Sequence, residues 1–168
     1  KMPTVGSEQF VQLELQAQKN SWRFTLQNKN KEKYKSLAGE AKIRDFNRTL
    51  FRCDWWQFLS FGVLKTRLEI TAEYLPENKV YQKGILAYEQ LKMKRANFEI
   101  IARMAVYHSK VLLYMYENNV SGIMQNSIFS GDGIYSFLLT KYRIWNNFEL
   151  QFKIADNWFA ANKMKLYF

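Results

Sequence analysis

Residues 147–154, Asn147-Phe148-Glu149-Leu150-Gln151-Phe152-Lys153-Ile154, carry an apolar side chain on every second position and a polar one between. That period of two is the signature of a strand with one apolar and one polar face. After a break at 160–162 the pattern resumes. Met164, Leu166 and Phe168 fall on one face, and Lys163, Lys165 and Tyr167 on the other. Many soluble sheets also end in a short amphipathic strand, so the fold turns on whether the rest of the chain repeats this design.

Composition bounds the answer. At 168 residues the chain is long enough for one soluble domain with a sizeable core, or for part of a larger barrel. Aromatic residues make up 17%, with ten Tyr and five Trp. That excess suits a protein with rings at two water interfaces better than a soluble core. Mean hydropathy is −0.38. No apolar run approaches the roughly 20 residues of a spanning helix, which excludes a helical membrane protein but not a barrel. Two Pro and seven Gly exclude a low-complexity linker. Cys53 and His108 are the single cysteine and histidine, so neither an internal disulfide nor a zinc spacing is available. A net charge of +10 raises binding to nucleic acid or to an acidic membrane. The first residues, Lys1-Met2-Pro3, open no signal peptide, although the mature form of an exported protein would lack one.

Upstream the alternation recurs. In 10–18, Val11, Leu13, Leu15 and Ala17 oppose Gln12, Glu14, Gln16 and Gln18; across a turn at 19–20, Trp22, Phe24 and Leu26 oppose Arg23, Thr25 and Gln27. The two form a predicted hairpin. Residues 28–40, with Lys29, Lys31, Glu32, Lys33 and Lys35, are expected to be a solvated loop. A less regular strand spans 43–56, where Arg44, Arg48 and Arg52 share a face with Phe46 and Leu50. The clearest strand sets Thr66, Leu68, Ile70, Ala72 and Tyr74 against Lys65, Arg67, Glu69, Thr71 and Glu73. A helix would scatter those charges around its circumference. Further strands are predicted over 83–94, where Ile85, Ala87, Leu91 and Met93 face outward and Glu89 breaks the rule, and over 97–107. A turn at 108–110 leads to 111–117, a weak strand at 121–129 precedes the turn signal Gly131-Asp132-Gly133, and 134–144 precedes a turn at 145–146.

Four stretches carry a family resemblance: Lys65-Thr66-Arg67-Leu68-Glu69, Lys83-Gly84-Ile85-Leu86-Ala87-Tyr88, Tyr114-Met115-Tyr116-Glu117-Asn118-Asn119-Val120, and Gly131-Asp132-Gly133 before an aromatic strand. In this order they resemble the C-terminal barrel portion of Bacteroidota outer-membrane proteins of the helix-hairpin-helix-containing type, over roughly residues 46–168. The terminal Met164, Leu166 and Phe168 look like the C-terminal strand signal of such barrels. No helix-hairpin-helix segment is present, so DNA binding does not carry over, and the family brings no defined activity. The resemblance implies an all-β, antiparallel transmembrane β-barrel, with residues 1–168 one region of a longer barrel protein. The candidate strands count eleven. Bacterial barrels have even strand numbers with both ends periplasmic, so a strand before Lys1, or a miscount near 121–129, is expected.

The expected function is that of a barrel in the cell outer membrane, acting as a pore, scaffold or component of an envelope assembly. Its expected partners are outer-membrane lipid, the barrel-assembly machinery during insertion and other envelope proteins. Lys65, Arg67, Glu69, Glu73, Glu99, Arg103, Glu149 and Lys153 are expected to face the lumen as a mixed-sign network, plugging a narrow barrel or lining a pore with modest anion preference. Trp22, Trp55, Trp56, Trp145 and Trp158 are expected at an aromatic girdle. Glu89 and Glu117 fall on faces read as outward. No cofactor, metal or catalytic residue is expected: His108 beside Ser109 makes no triad, and Gly131-Asp132-Gly133 is too short for a phosphate or calcium loop. The alternative is a soluble basic β-sheet protein binding nucleic acid. Cations spread along alternating faces instead of one stripe argue against it, and no nucleic acid is expected as a partner.

Overall fold

The computed structural model describes residues 6–37, 40–75, 80–118, 125–145 and 148–159; side chains are described outside 31–46 and Gln125. Met164, Leu166 and Phe168 lie outside the described residues. The fold is all-β. Eight strands form one antiparallel sheet in sequence order: β1 (Ser7–Ala17), β2 (Asn20–Leu37), β3 (Glu40–Leu59), β4 (Gly62–Leu75), β5 (Val80–Arg95), β6 (Phe98–Glu117), β7 (Gln125–Trp145) and β8 (Phe148–Phe159). Among the described residues β1 pairs only with β2 and β8 only with β7, leaving two free edges. At one end of the sheet two-residue turns join β1 to β2, β3 to β4 and β5 to β6. At the other end β2, β3, β6 and β7 run well past their neighbours.

Among the described residues the count is eight, not eleven, for identifiable reasons. Residues 98–107 and 111–117, expected as separate strands, belong to one strand, β6; 125–129 and 134–144 belong to β7, and 121–124 of the expected weak strand lie outside the described residues. The terminal segment is not described. The expected loop at 28–40 is also corrected. β2 and β3 continue there as a two-stranded ribbon, paired from Lys29↔Arg48 to Leu37↔Glu40. Among the described residues neither strand has a third neighbour beyond Ser7↔Asn30 and Asn47↔Tyr74, and charge does not oppose strand formation in a two-stranded ribbon. The turn expected near 94–96 falls at Ala96-Asn97, with Ala96 at φ 47°.

β6 and β7 are continuous in pairing but not straight. In an extended strand Arg103 and Tyr116 would be about 43 Å apart at ~3.3 Å per residue. Instead Arg103 Nη1 donates to the Tyr116 carbonyl at 2.7 Å. The rings of Phe129 and Tyr135, six positions apart, have centroids 5.3 Å from each other. Both strands therefore double back together. Among the described residues pairing of β5 to β6 ends at Gly84↔Ser109 and of β7 to β8 at Gly133↔Phe159, and the hairpin arms 110–118 and 125–132 leave the sheet and lie over it. At the corner the register shifts between Ser109↔Gly131 and Leu113↔Phe129, with three residues of β6 opposite one of β7. The bulge supplies the kink. Ser109 Oγ accepts from the Val111 amide at 3.1 Å and donates to the Val111 carbonyl at 2.7 Å, which satisfies backbone groups that the ladder drops. Gly131 takes φ 78°, open to glycine at little cost. Gly84 lies where a Cβ would collide with Ser109, Val111 and Leu113.

The core lies beneath this hairpin. Val111, Leu113, Met115 and Phe129 on its underside pack with Leu86 and Tyr88 of β5, Ile101, Ala105 and Tyr107 of β6, and Tyr135, Phe137 and Leu139 of β7. Full burial of each large apolar side chain contributes about 1.5–3 kcal/mol, so the underside supplies part of what holds the hairpin down.

Candidate functional site: a charged inner face under a folded-in hairpin

Cross-strand register fixes which side chains share a face. On β4 the alternation puts Lys65, Arg67, Glu69, Thr71 and Glu73 on the face covered by the hairpin. The same parity carries across the ladder to Tyr88, Arg103 and Phe137. By register all eight residues expected to face the lumen lie on this inner face, though at different depths. Glu69 (1% exposed) and Arg103 (5%) are buried; Lys65, Arg67, Glu73, Glu99 and Lys153 are half-buried; Glu149, near the turn end, is exposed.

The charges meet in pairs. Arg67 grips Asp54 at 2.6 and 3.1 Å, with Lys65 3.3 Å from the same carboxylate. Arg52 contacts Glu69 at 2.8 Å, Arg48 contacts Glu73 at 3.4 Å, and Lys92 contacts Glu99 at 3.4 Å. Burial ranks them. The exposed Arg23–Glu14 pair is worth at most about 1 kcal/mol. Removing one partner of a buried pair costs roughly 3–5 kcal/mol, which singles out Asp54, Glu69 and Glu117, each at most 2% exposed.

Glu117 corrects the expectation of an outward position. Being on the hairpin, it points down at the inner face. It accepts from Lys153 Nζ at 2.6 Å and from the hydroxyls of Ser127 and Tyr135. Beside it, Arg103 bonds Gln90 Oε1 at 3.0 Å as well as the Tyr116 carbonyl. Glu89 is outward as expected, exposed among Ile85, Ala87, Leu91 and Met93.

Rings and cations alternate strand by strand along the inner face. Arg23 (β2) lies 5.1 Å from the Trp56 ring (β3), and Lys65 (β4) lies 4.7 Å from it on the other side. Lys65 and Arg103 (β6) flank Tyr88 (β5) at 5.8 and 4.6 Å. Arg103 and Lys153 (β8) flank Phe137 (β7) at 5.0 and 5.1 Å. Trp56 thus belongs to the interior and not to a girdle. Trp22 and Trp55 are paired neighbours on the outer face, and Trp145 is 71% exposed at the turn end. Trp158 pairs with Ile134, one residue before the described end of β8 at Phe159.

The outer face is apolar from edge to edge: Leu13, Leu26, Ile70, Val106, Leu138 and Ile154 are between 39% and 56% exposed. Cys53 sits on that face, half-buried between Phe24 and Leu68. His108 is not in a turn. It is in β6 at the corner, its Nδ1 2.5 Å from Asp132 Oδ1 in an exposed pair. Among the described residues no group of His, Cys, Asp and Glu is arranged to hold a metal. Sequence reasoning missed Arg52, Asp54, Gln90, Glu117 and Tyr135. Arg52 and Asp54 were legible in principle, because they lie two apart and oppose Glu69 and Arg67 on the clearest strand. No protein-family description, curated protein or solved structure matches the chain.

Proposed function

We propose that the chain is a membrane-embedded β-barrel region of a cell outer membrane, serving as a scaffold or component of an envelope assembly. The observation that supports it is an inverted polarity: ion pairs on the packed face and exposed aliphatic and aromatic side chains on the open face of every strand. A water-facing sheet has the opposite arrangement. Soluble monomers rarely expose contiguous apolar patches beyond a few hundred Å², and acyl chains are the solvent that such a face fits. Strands suit lipid only when every backbone group is paired, so the reading requires the edges of β1 and β8 to be closed, by each other or by further strands. Two-residue turns at one end and long ribbons at the other agree with the asymmetry of outer-membrane barrels.

The folded-in hairpin favours a scaffold over a standing pore, because it occupies the space a channel would need. Acyl chains, the assembly machinery that inserts barrels and other envelope proteins are the partners this reading implies. The test is extraction of the native protein from membranes, followed by gel migration with and without boiling. Extraction by detergent alone and a band that shifts on boiling support the proposal. A protein released by salt or buffer, with no shift, overturns it and makes salt-dependent nucleic-acid binding the next question.

A further inference from the structure

We propose that the hairpin arms 110–118 and 125–132 form a removable plug, that Glu117 is its latch, and that undocking it opens a path for small inorganic anions. The inference rests on the membrane-barrel reading. Three observations carry it. The hairpin is detached from β5, which continues to Val80 without pairing beyond Ser109, and among the described residues β8 does not pair with it beyond Gly133. Its two strands leave through one corner, made of a bulge, the Ser109 side chain and Gly131. Motion there would leave the eight-strand ladder intact.

The hairpin is also held chiefly from one side, with Arg48 of β3 lying 5.5 Å from the Tyr114 ring on the other. Its underside is buried, whereas Leu112, Tyr114, Tyr116 and Ile128 on the opposite side are 43–58% exposed. An element that was simply core would be covered on both sides. Its far end, where leverage about the corner is greatest, is fixed to the wall by polar contacts: Glu117 to Lys153 and Tyr135, and the Tyr116 carbonyl to Arg103. Such contacts switch more readily than apolar packing, since water or salt can replace them.

The wall uncovered by undocking has a definite sign. Glu117 departs with its hairpin, and Lys65, Arg67, Arg103 and Lys153 then outnumber Asp54 and Glu69 along the path. A passage rimmed by excess guanidinium and ammonium groups favours anions.

The full-length protein is inserted in planar bilayers under a potassium chloride gradient and compared with Glu117→Lys, which sets a cation against Lys153, and with the exchange Glu117→Lys with Lys153→Glu. Wild type is expected to be nearly silent. Glu117→Lys is expected to raise conductance about tenfold or more, with a reversal potential on the chloride side, and the exchange to bring it back down. Hydrogen exchange over 110–132 is expected to accelerate in Glu117→Lys and slow again in the exchange variant. Glu117→Gln, a milder change, gives the same direction should Glu117→Lys fail to insert. A variant that migrates as a heat-modifiable band but stays silent overturns the plug alone, as does conductance that the exchange leaves high. Wild type without a heat-modifiable band overturns the membrane reading itself.

Discussion

Two ribbons run past the sheet at the same end, and they behave differently. The β2–β3 ribbon continues its ladder without a register shift from Asn30 to Leu37, whereas the β6–β7 ribbon breaks register at Ser109 and folds onto the inner face. Their sequences explain why. Residues 31–46 include Lys31, Glu32, Lys33, Lys35, Lys42 and Arg44, while 111–117 read Val-Leu-Leu-Tyr-Met-Tyr-Glu. Folding the first ribbon inward would strip water from many charges at several kcal/mol each. Folding the second removes Val111, Leu113, Met115 and Phe129 from water and costs one carboxylate, which Lys153 meets. Apolar content selects the ribbon that folds, and glycine and a bulge let it do so.

The contrast can be broken most strongly at Phe129. Truncation by Phe129→Ala is expected to destabilise the docked hairpin by about 3–5 kcal/mol, read as a lower urea midpoint in micelles and faster hydrogen exchange over 110–132. Unchanged exchange there would mean that packing does not hold the ribbon. Next comes Gly84→Ala, whose methyl group collides with Ser109, Val111 and Leu113; a loss of about 1–3 kcal/mol is expected, confined to the β6–β7 ribbon. At the other hinge, Gly131→Ala meets open space but keeps the left-handed backbone, so a smaller cost of roughly 1 kcal/mol is expected in the same urea titration. The smallest effect belongs to the charged ribbon. Lys35→Ala should move stability by no more than about 0.5 kcal/mol, and a larger drop would show that this ribbon, too, has a docking surface.

Much of this architecture is legible in the alternation of residues 65–74 and 147–154, because a two-residue period reports face directly. It put the eight charges expected to face the lumen on one shared face, Glu149 included, yet said nothing of depth. Alternation is blind to bending. A strand that folds back keeps its period, so 97–107 and 111–117 looked like two wall strands and Glu117 was read as outward. The signals that mattered, Ser109 and Gly131-Asp132-Gly133, did mark a reversal of direction, but within paired strands and not between them. Charge density misled at 28–40 because it disfavours burial and not extension. Gln90 and Tyr135 act through partners on other strands, and only register reveals those.

The alternating row from Arg23 through Trp56, Lys65, Tyr88, Arg103 and Phe137 to Lys153 has a consequence for how the sheet assembles. A strand that pairs one residue out of step sends its member of the row to the opposite face. A slip of two residues keeps the face but moves the group about 6.6 Å along the strand, beyond contact with both neighbours. Because each member between the two ends touches the strands on either side, misplacing any one of those strands breaks the row twice. The row therefore acts as a proofreading mark for strand order and register, written in side chains across seven strands.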